Sequence, residues 1–288
     1  MTETTPSPAP ARPWYARLFR TSGPVIPVVR LQGVIASDPR PGRLNIAGVA
    51  PLLKKAFAFG KAPAVALIVN SPGGSPVQSR LIAEHIRYLA RKHDKRVLVF
   101  VEDAAASGGY FIAVAGDEII ADPSSIVGSV GVIYAGFGFV EAISKLGITR
   151  RLYTAGANKS TLDPFLPEKE EEIERIRQLE LDTHETFIDY VKARRGDRLR
   201  APDSELFTGE FWAAKRGLGL GLIDGLGDIH STLAERFGRD VQLKPIAPRR
   251  SWFQLPSFGL PVRGGADDLV GDALARIEDR AFWARIGL

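Results

Sequence analysis

The chain has no cysteine, which excludes structural disulfides, thiolate nucleophiles and cysteine-bound zinc, and fits a reducing compartment. It shows no metal-ligand constellation and no Walker-type glycine loop, so no metal, no cofactor and no built-in ATP-driven step is expected. Its four histidines, His85, His93, His184 and His230, stand in no recognisable catalytic context and read as surface or helix-packing residues. Residues 1–20 lack the apolar core of a signal peptide. The longest uncharged stretch, 123–140, approaches bilayer-spanning length, but Pro123, Ser124, Ser125, Ser129 and four glycines (Gly128, Gly131, Gly136, Gly138) make it strands and turns. The expectation is a cytoplasmic chain without a transmembrane helix, touching the inner membrane at most peripherally.

Net charge is modest, +5 from 38 Lys/Arg against 33 Asp/Glu. The excess is spread out, with small clusters such as Arg194–Arg195 and Arg249–Arg250 and no aromatic-interleaved basic stripe, which argues against a nucleic-acid partner. What is present is an ordinary globular composition, 45% apolar and 25% charged over 288 residues, enough for one large or two modest domains.

Residues 1–22 read as a disordered or peripheral arm, 23–243 as the main domain, and 244–288 as a Pro/Gly-rich linker followed by an amphipathic helix. Apolar runs at 25–35, 64–69, 97–101 and 118–121 read as strands, with 126–134 β-rich and 151–153 a further short strand. Helical periodicity marks 45–59, 77–92, 107–115, 139–146, 167–194, 211–215, 229–237 and 267–286. Strands alternating with helices give an α/β fold with right-handed crossovers. Sites in such folds collect at the carboxyl ends of the strands. The aromatic and basic residues of 14–20, and Phe282 with Trp283 in the last helix, offer membrane-surface contact; packing against the body or a neighbouring copy is the plainer reading.

Three segments carry chemistry. Asn70-Ser71-Pro72-Gly73-Gly74 follows a buried strand, and its paired glycines suit either a plain turn or a cradle of N–H groups for an oxyanion. Ala105-Ala106-Ser107-Gly108-Gly109-Tyr110 ends the next strand and opens a helix. Ser107 there is either an N-cap or an exposed nucleophile, with the Gly108 N–H close to the developing oxyanion. Gly156-Ala157-Asn158-Lys159-Ser160, with Asp163-Pro164-Phe165 beyond, puts a lysine on a loop that by itself would be ordinary solvated surface.

In this order the three segments, with Gly128-Ser129-Val130-Gly131 between them, resemble the S49 peptidase family, the signal peptide peptidase A group and its SohB-like relatives. The resemblance runs from about residue 28 to 227, and 52 positions separate Ser107 from Lys159. It implies a ClpP/crotonase-like fold with βα repeats, here with a C-terminal helical extension. It also implies Ser107 as nucleophile, Lys159 as general base, Ser129 holding the lysine, and Gly73, Gly74 and Gly108 around the oxyanion. The implied activity is a serine endopeptidase acting on unfolded or membrane-derived peptides, such as remnant signal peptides. The implied assembly is a homo-oligomer whose Ser-Lys pair lies within one chain or between neighbours. A crotonase-type acyl-CoA enzyme and a catalytically inactive scaffold are the competing readings.

Overall fold

The computed structural model describes residues 23–38, 40, 42–248, 276–277 and 279–288. Strand β1 (Val25–Gln32) leads through a bend at Gly33 to helix α1 (Ile46–Phe57). That helix starts where the Asn45 side chain accepts the Gly48 N–H at 2.9 Å. In β2 (Ala64–Ser71) every residue is buried, as an uninterrupted apolar run requires. Helix α2 (Pro76–His93) is capped by Ser75, has proline in its first turn and stops at Asp94 in the left-handed region.

Strand β3 (Arg96–Ala106) runs directly into the short α3 (Gly108–Ala113), followed by β4 (Glu118–Ala121) and β5 (Ile126–Gly128). After α4 (Val140–Lys145) and the long α5 (Glu170–Arg195), the chain returns through α6 (Asp203–Leu206), β6 (Phe211–Ala213), α7 (Ala214–Leu220), β7 (Gly225–Leu226), α8 (Ile229–Phe237) and β8 (Gln242–Pro245). The α/β class expected from the sequence, with its βα repeats, is what the structure shows.

Among the described residues eight strands form one sheet in the order β6-β5-β3-β2-β1-β8, with β4 pairing β3 and β7. All pairs are parallel except β5 with β6. The long β3 serves two partners in turn: Leu98–Val101 face β4, and Ala104–Ala106 face β5. Alternate residues build two cores. Val65, Leu67, Val97 and Val99 meet α1, α2, α3 and Phe187 and Val191 of α5, whereas Ala64, Ala66, Leu98 and Phe100 meet Leu233 of α8.

Some local expectations are corrected. Residues 151–153 form no strand: all three are exposed, Tyr153 to 90%, so they bury no apolar face against the sheet. Residues 211–213 are strand rather than helix, because Trp212 pairs across to Val127 and covers Gly128. Residues 244–245, expected in a linker, end β8, with Pro245 tolerated on an edge strand. Of the expected C-terminal helix, 276–277 and 279–284 are helical, and residues 267–275 lie outside the described ones.

A buried ion pair ties α5 to the far end of the sheet. Arg195, with 2% side-chain exposure, donates to Asp224 at 2.8 Å and to the Gly221 carbonyl. Burial pushes the Asp224 carboxyl up, but Arg195, the Ile119 N–H and Arg198 together hold it below its ordinary value. Its folded-state value is depressed, so the contribution to stability is complete above the unfolded value of about 4 and is lost as pH falls through the folded one. Asp224→Ala strands a buried guanidinium and is expected to cost about 3 kcal/mol at neutral pH. Urea midpoints of the two proteins, well separated at pH 7, should converge as the medium is acidified; equal midpoints at pH 7 would refute the assignment.

Candidate active site

Ser107 sits where β3 stops and α3 begins, at φ 50° and ψ −121°. Positive φ is unfavourable for a side-chain-bearing residue, and strain of this kind at a strand-to-helix turn stands the hydroxyl clear of the sheet. The Ser107 N–H donates to the Gly128 carbonyl and its carbonyl accepts the Phe111 N–H, each at 2.9 Å, so the backbone is held from both sides. The side chain makes no capping hydrogen bond to α3. The N-cap alternative therefore does not describe this serine.

The glycine turn after β2 is pressed against it. A Cβ on Gly73 would lie 2.8 Å from Ser107 Cβ and 3.0 Å from the Gly108 nitrogen, and one on Gly74 would lie 2.1 Å from the Ile35 carbonyl oxygen. Both glycines have positive φ, 105° and 137°. Ile35 donates to the Gly73 carbonyl and accepts from the Ser75 N–H, both at 2.8 Å, which turns the Gly74 N–H away from Ile35. The Gly73 N–H is engaged by Ser71 Oγ at 3.2 Å. Among the described residues, the Gly74 and Gly108 N–H groups have no acceptor.

Ser107, Gly108, Gly74 and Ser129 line one cavity of about 730 Å³. Its walls include Pro72, Val77, Phe111, Val132, Phe187 and Phe211. Ser129 has φ 55° and donates its N–H to the Glu210 carbonyl at 2.7 Å, holding the chain after β5 beside β6.

Lys159 is not part of this lining. It is exposed, on a turn closed by its N–H to the Gly156 carbonyl at 3.2 Å. Among the described residues no carboxylate is paired with its amine. Asp163, four residues on, is taken by the Phe165 N–H (3.0 Å) and Arg150 (2.9 Å), which hold its carboxyl below the usual value. Nearby, Asn158 accepts from Arg175 of α5 at 2.7 Å, and Leu162 donates to Glu172 at 2.8 Å. The segment carrying Lys159 is therefore tethered to the first half of α5, away from Ser107's cavity. It also bears Phe137, 82% exposed, and the exposed Leu146 and Tyr153. So much apolar surface in one region marks an interaction face.

Two groups of cavity residues escaped the sequence reading. His184 of α5 places Nε2 3.0 Å from the Val130 carbonyl oxygen and lines the cavity together with Asp182 and Thr186. Phe282, Arg285 and Ile286 line it from the C-terminal side. In the sequence His184 reads as a surface or helix-packing residue and Phe282 as an apolar member of the last helix, and nothing ties either to Ser107. Among the described residues no cluster of His, Asp or Glu is arranged to hold a metal ion.

The sequence model described as Peptidase family S49 matches residues 89–244, a stretch that holds Ser107, Ser129 and Lys159. A protein of Brucella abortus (strain 2308) named Na(+)/H(+) antiporter NhaA is 53% identical over 283 residues, covering 94% of this chain and 38% of that protein. Protease 4 of Haemophilus influenzae is 32% identical over 214 residues, 72% of this chain and 34% of the relative. The chloroplastic serine protease SPPA of Arabidopsis thaliana is 30% identical over 178 residues, 60% of this chain and 25% of the relative. The chain thus spans well under half the length of each. The Brucella alignment necessarily overlies the stretch matched by the family, and no helix of the described residues is long and apolar enough to cross a membrane. The antiporter name stays with the longer protein.

Proposed function

The chain belongs to peptidase family S49, and from that premise we propose that it is a serine endopeptidase in which Ser107 attacks the peptide and Lys159 of a neighbouring copy is the base. The observation that carries the reading is the uncapped Ser107 hydroxyl, held at a strained turn beside two backbone N–H groups that have no acceptor among the described residues. The neutral amine takes the Ser107 Oγ proton as the oxygen adds to the scissile carbonyl carbon. The Gly74 and Gly108 N–H groups receive the oxyanion, an arrangement in which one donor is worth about 10²–10³ in rate. Collapse breaks the C–N bond, and the protonated amine returns its proton to the leaving nitrogen. Water, deprotonated by the same amine, then releases the acyl group and restores Ser107.

A lysine left in water keeps its proton at neutral pH. Burial against a second copy would disfavour that charge. The exposed apolar surface around Lys159 supports such burial, and Ser129 in the cavity wall offers the amine a hydrogen-bond partner. The apolar walls support unfolded or membrane-derived peptides, signal-peptide remnants among them, as substrates. Such remnants arise at membranes, so the reading puts the chain beside the inner membrane on its cytoplasmic side.

The test is a pH–rate profile on a denatured polypeptide. With a lysine base, kcat/KM rises as the medium becomes alkaline, since the amine must lose its proton before it can accept one. A profile flat between about pH 6 and 10 in both kcat and kcat/KM would sink the lysine base.

A further inference from the structure

One wall of the Ser107 cavity comes from the far end of the described chain. Residues 279–284 are helical, and the turn after them closes through the Leu288 N–H to the Trp283 carbonyl (3.1 Å) and the Gly287 N–H to the Ala284 carbonyl (3.2 Å). Gly287 supplies the positive φ, 81°, which this helix ending requires. Trp283 and Ile286 pack against Ala104 and Ala106, the small residues immediately before the nucleophile, and against Ile126 of β5. Ile286 is 5% exposed. Asp279 anchors the helix to Arg43 at 3.1 Å. Phe282, Arg285 and Ile286 then face the cavity that Ser107 opens into. The Arg285 guanidinium lies 4.9 Å from the centre of the Phe282 ring, which steadies both side chains.

We propose that this C-terminal turn is a specificity-determining wall supplied by the chain itself, with Phe282 and Ile286 setting the size of the substrate side chain admitted beside Ser107. The small alanines ending β3 are fully buried beneath Trp283 and Ile286, whose bulk fills the space above them. Here Ile286 already occupies part of that space, and Phe282 stands at its border. A substrate side chain must fit into what is left, so small ones are favoured over Leu or Phe. The inference rests on the reading of Ser107 as nucleophile, because only then does the cavity receive the residues flanking a scissile bond.

The test uses the full chain in two forms. In a Ser107→Ala background, fluorescence anisotropy measures binding of labelled unfolded peptides that differ in carrying alanine or leucine and phenylalanine at the central positions. In the intact protein, the same peptides are followed for cleavage. Phe282→Ala and Ile286→Ala are each expected to shift the preference towards the bulky peptide by about tenfold, the scale on which a hydrophobic pocket discriminates size. Should Ile286→Ala release the turn altogether, the wall is lost and the shift has the same sign. A preference unchanged within about twofold in both variants, or peptides that do not bind at all, would overturn the proposal. Cleavage with unchanged preference removes the wall and leaves the peptidase reading. A shifted binding preference without any cleavage removes the peptidase reading, and with it the wall's role beside a scissile bond, and leaves only a size-selective peptide-binding surface.

Discussion

Alanine at position 107 is expected to lower kcat/KM for peptide cleavage by about 10⁴–10⁶-fold while leaving the unfolding midpoint where it was. The two halves of that expectation share one structural cause. The Ser107 side chain caps nothing, although it precedes a helix, so its removal takes no bond from the fold. Alanine also meets much the same backbone cost as serine at φ 50°. A change in stability beyond about 0.5 kcal/mol is therefore not anticipated. A capping serine would behave in the opposite way, losing about 1 kcal/mol of stability with little effect on turnover. Urea titration beside a peptide-cleavage assay separates the two patterns. Residual activity above about one per cent would take Ser107 out of the reaction, since nucleophile deletions cost far more.

The parts of this molecule that could be read from sequence are those whose cause is local. The unbroken apolar run of β2, the capping residues Asn45 and Ser75, and the serine and glycines closing β2 and β3 each carry their physical reason within a few residues. The parts that could not be read depend on what the chain meets elsewhere. β8 lies in a Pro/Gly-rich stretch and becomes a strand because β1 offers it an edge. Phe211–Ala213 is strand because Gly128 leaves room for the Trp212 ring. His184 and Phe282 were legible as members of amphipathic helices, but the cavity they share with Ser107 exists only after α5 and the C-terminal turn have packed. The glycines show an intermediate case. The resemblance offered Gly73 or Gly74 as a donor to the proposed oxyanion; Ser71 Oγ engages the Gly73 N–H, and among the described residues the Gly74 N–H has no acceptor. The placement of Lys159 was the least accessible feature, because one chain presents it on a tethered, exposed loop outside the cavity.

That placement leads to the second large effect. Lys159→Met, which keeps the length of the side chain and removes the amine, is expected to lose about 10²–10⁴-fold in kcat/KM, the usual worth of a general base. Ser107→Ala is silent for its own reason. If each site takes its serine from one protomer and its lysine from the next, mixing the two variants in equal amounts, with subunit exchange, restores activity to neither parent alone but to the mixture. Random assembly gives a site an intact serine half the time and an intact neighbouring lysine half the time, so about a quarter of wild-type activity should return. A pair lying within one chain gives no recovery at any ratio, because every protomer then lacks one member. The exposed Phe137, Leu146 and Tyr153 on the segment that carries Lys159 favour the first outcome, since burying that segment against a neighbour would also withdraw water from the amine. The same contact would thus bring the base to the nucleophile and strip it of its proton, and the mixture is where the two consequences become measurable together.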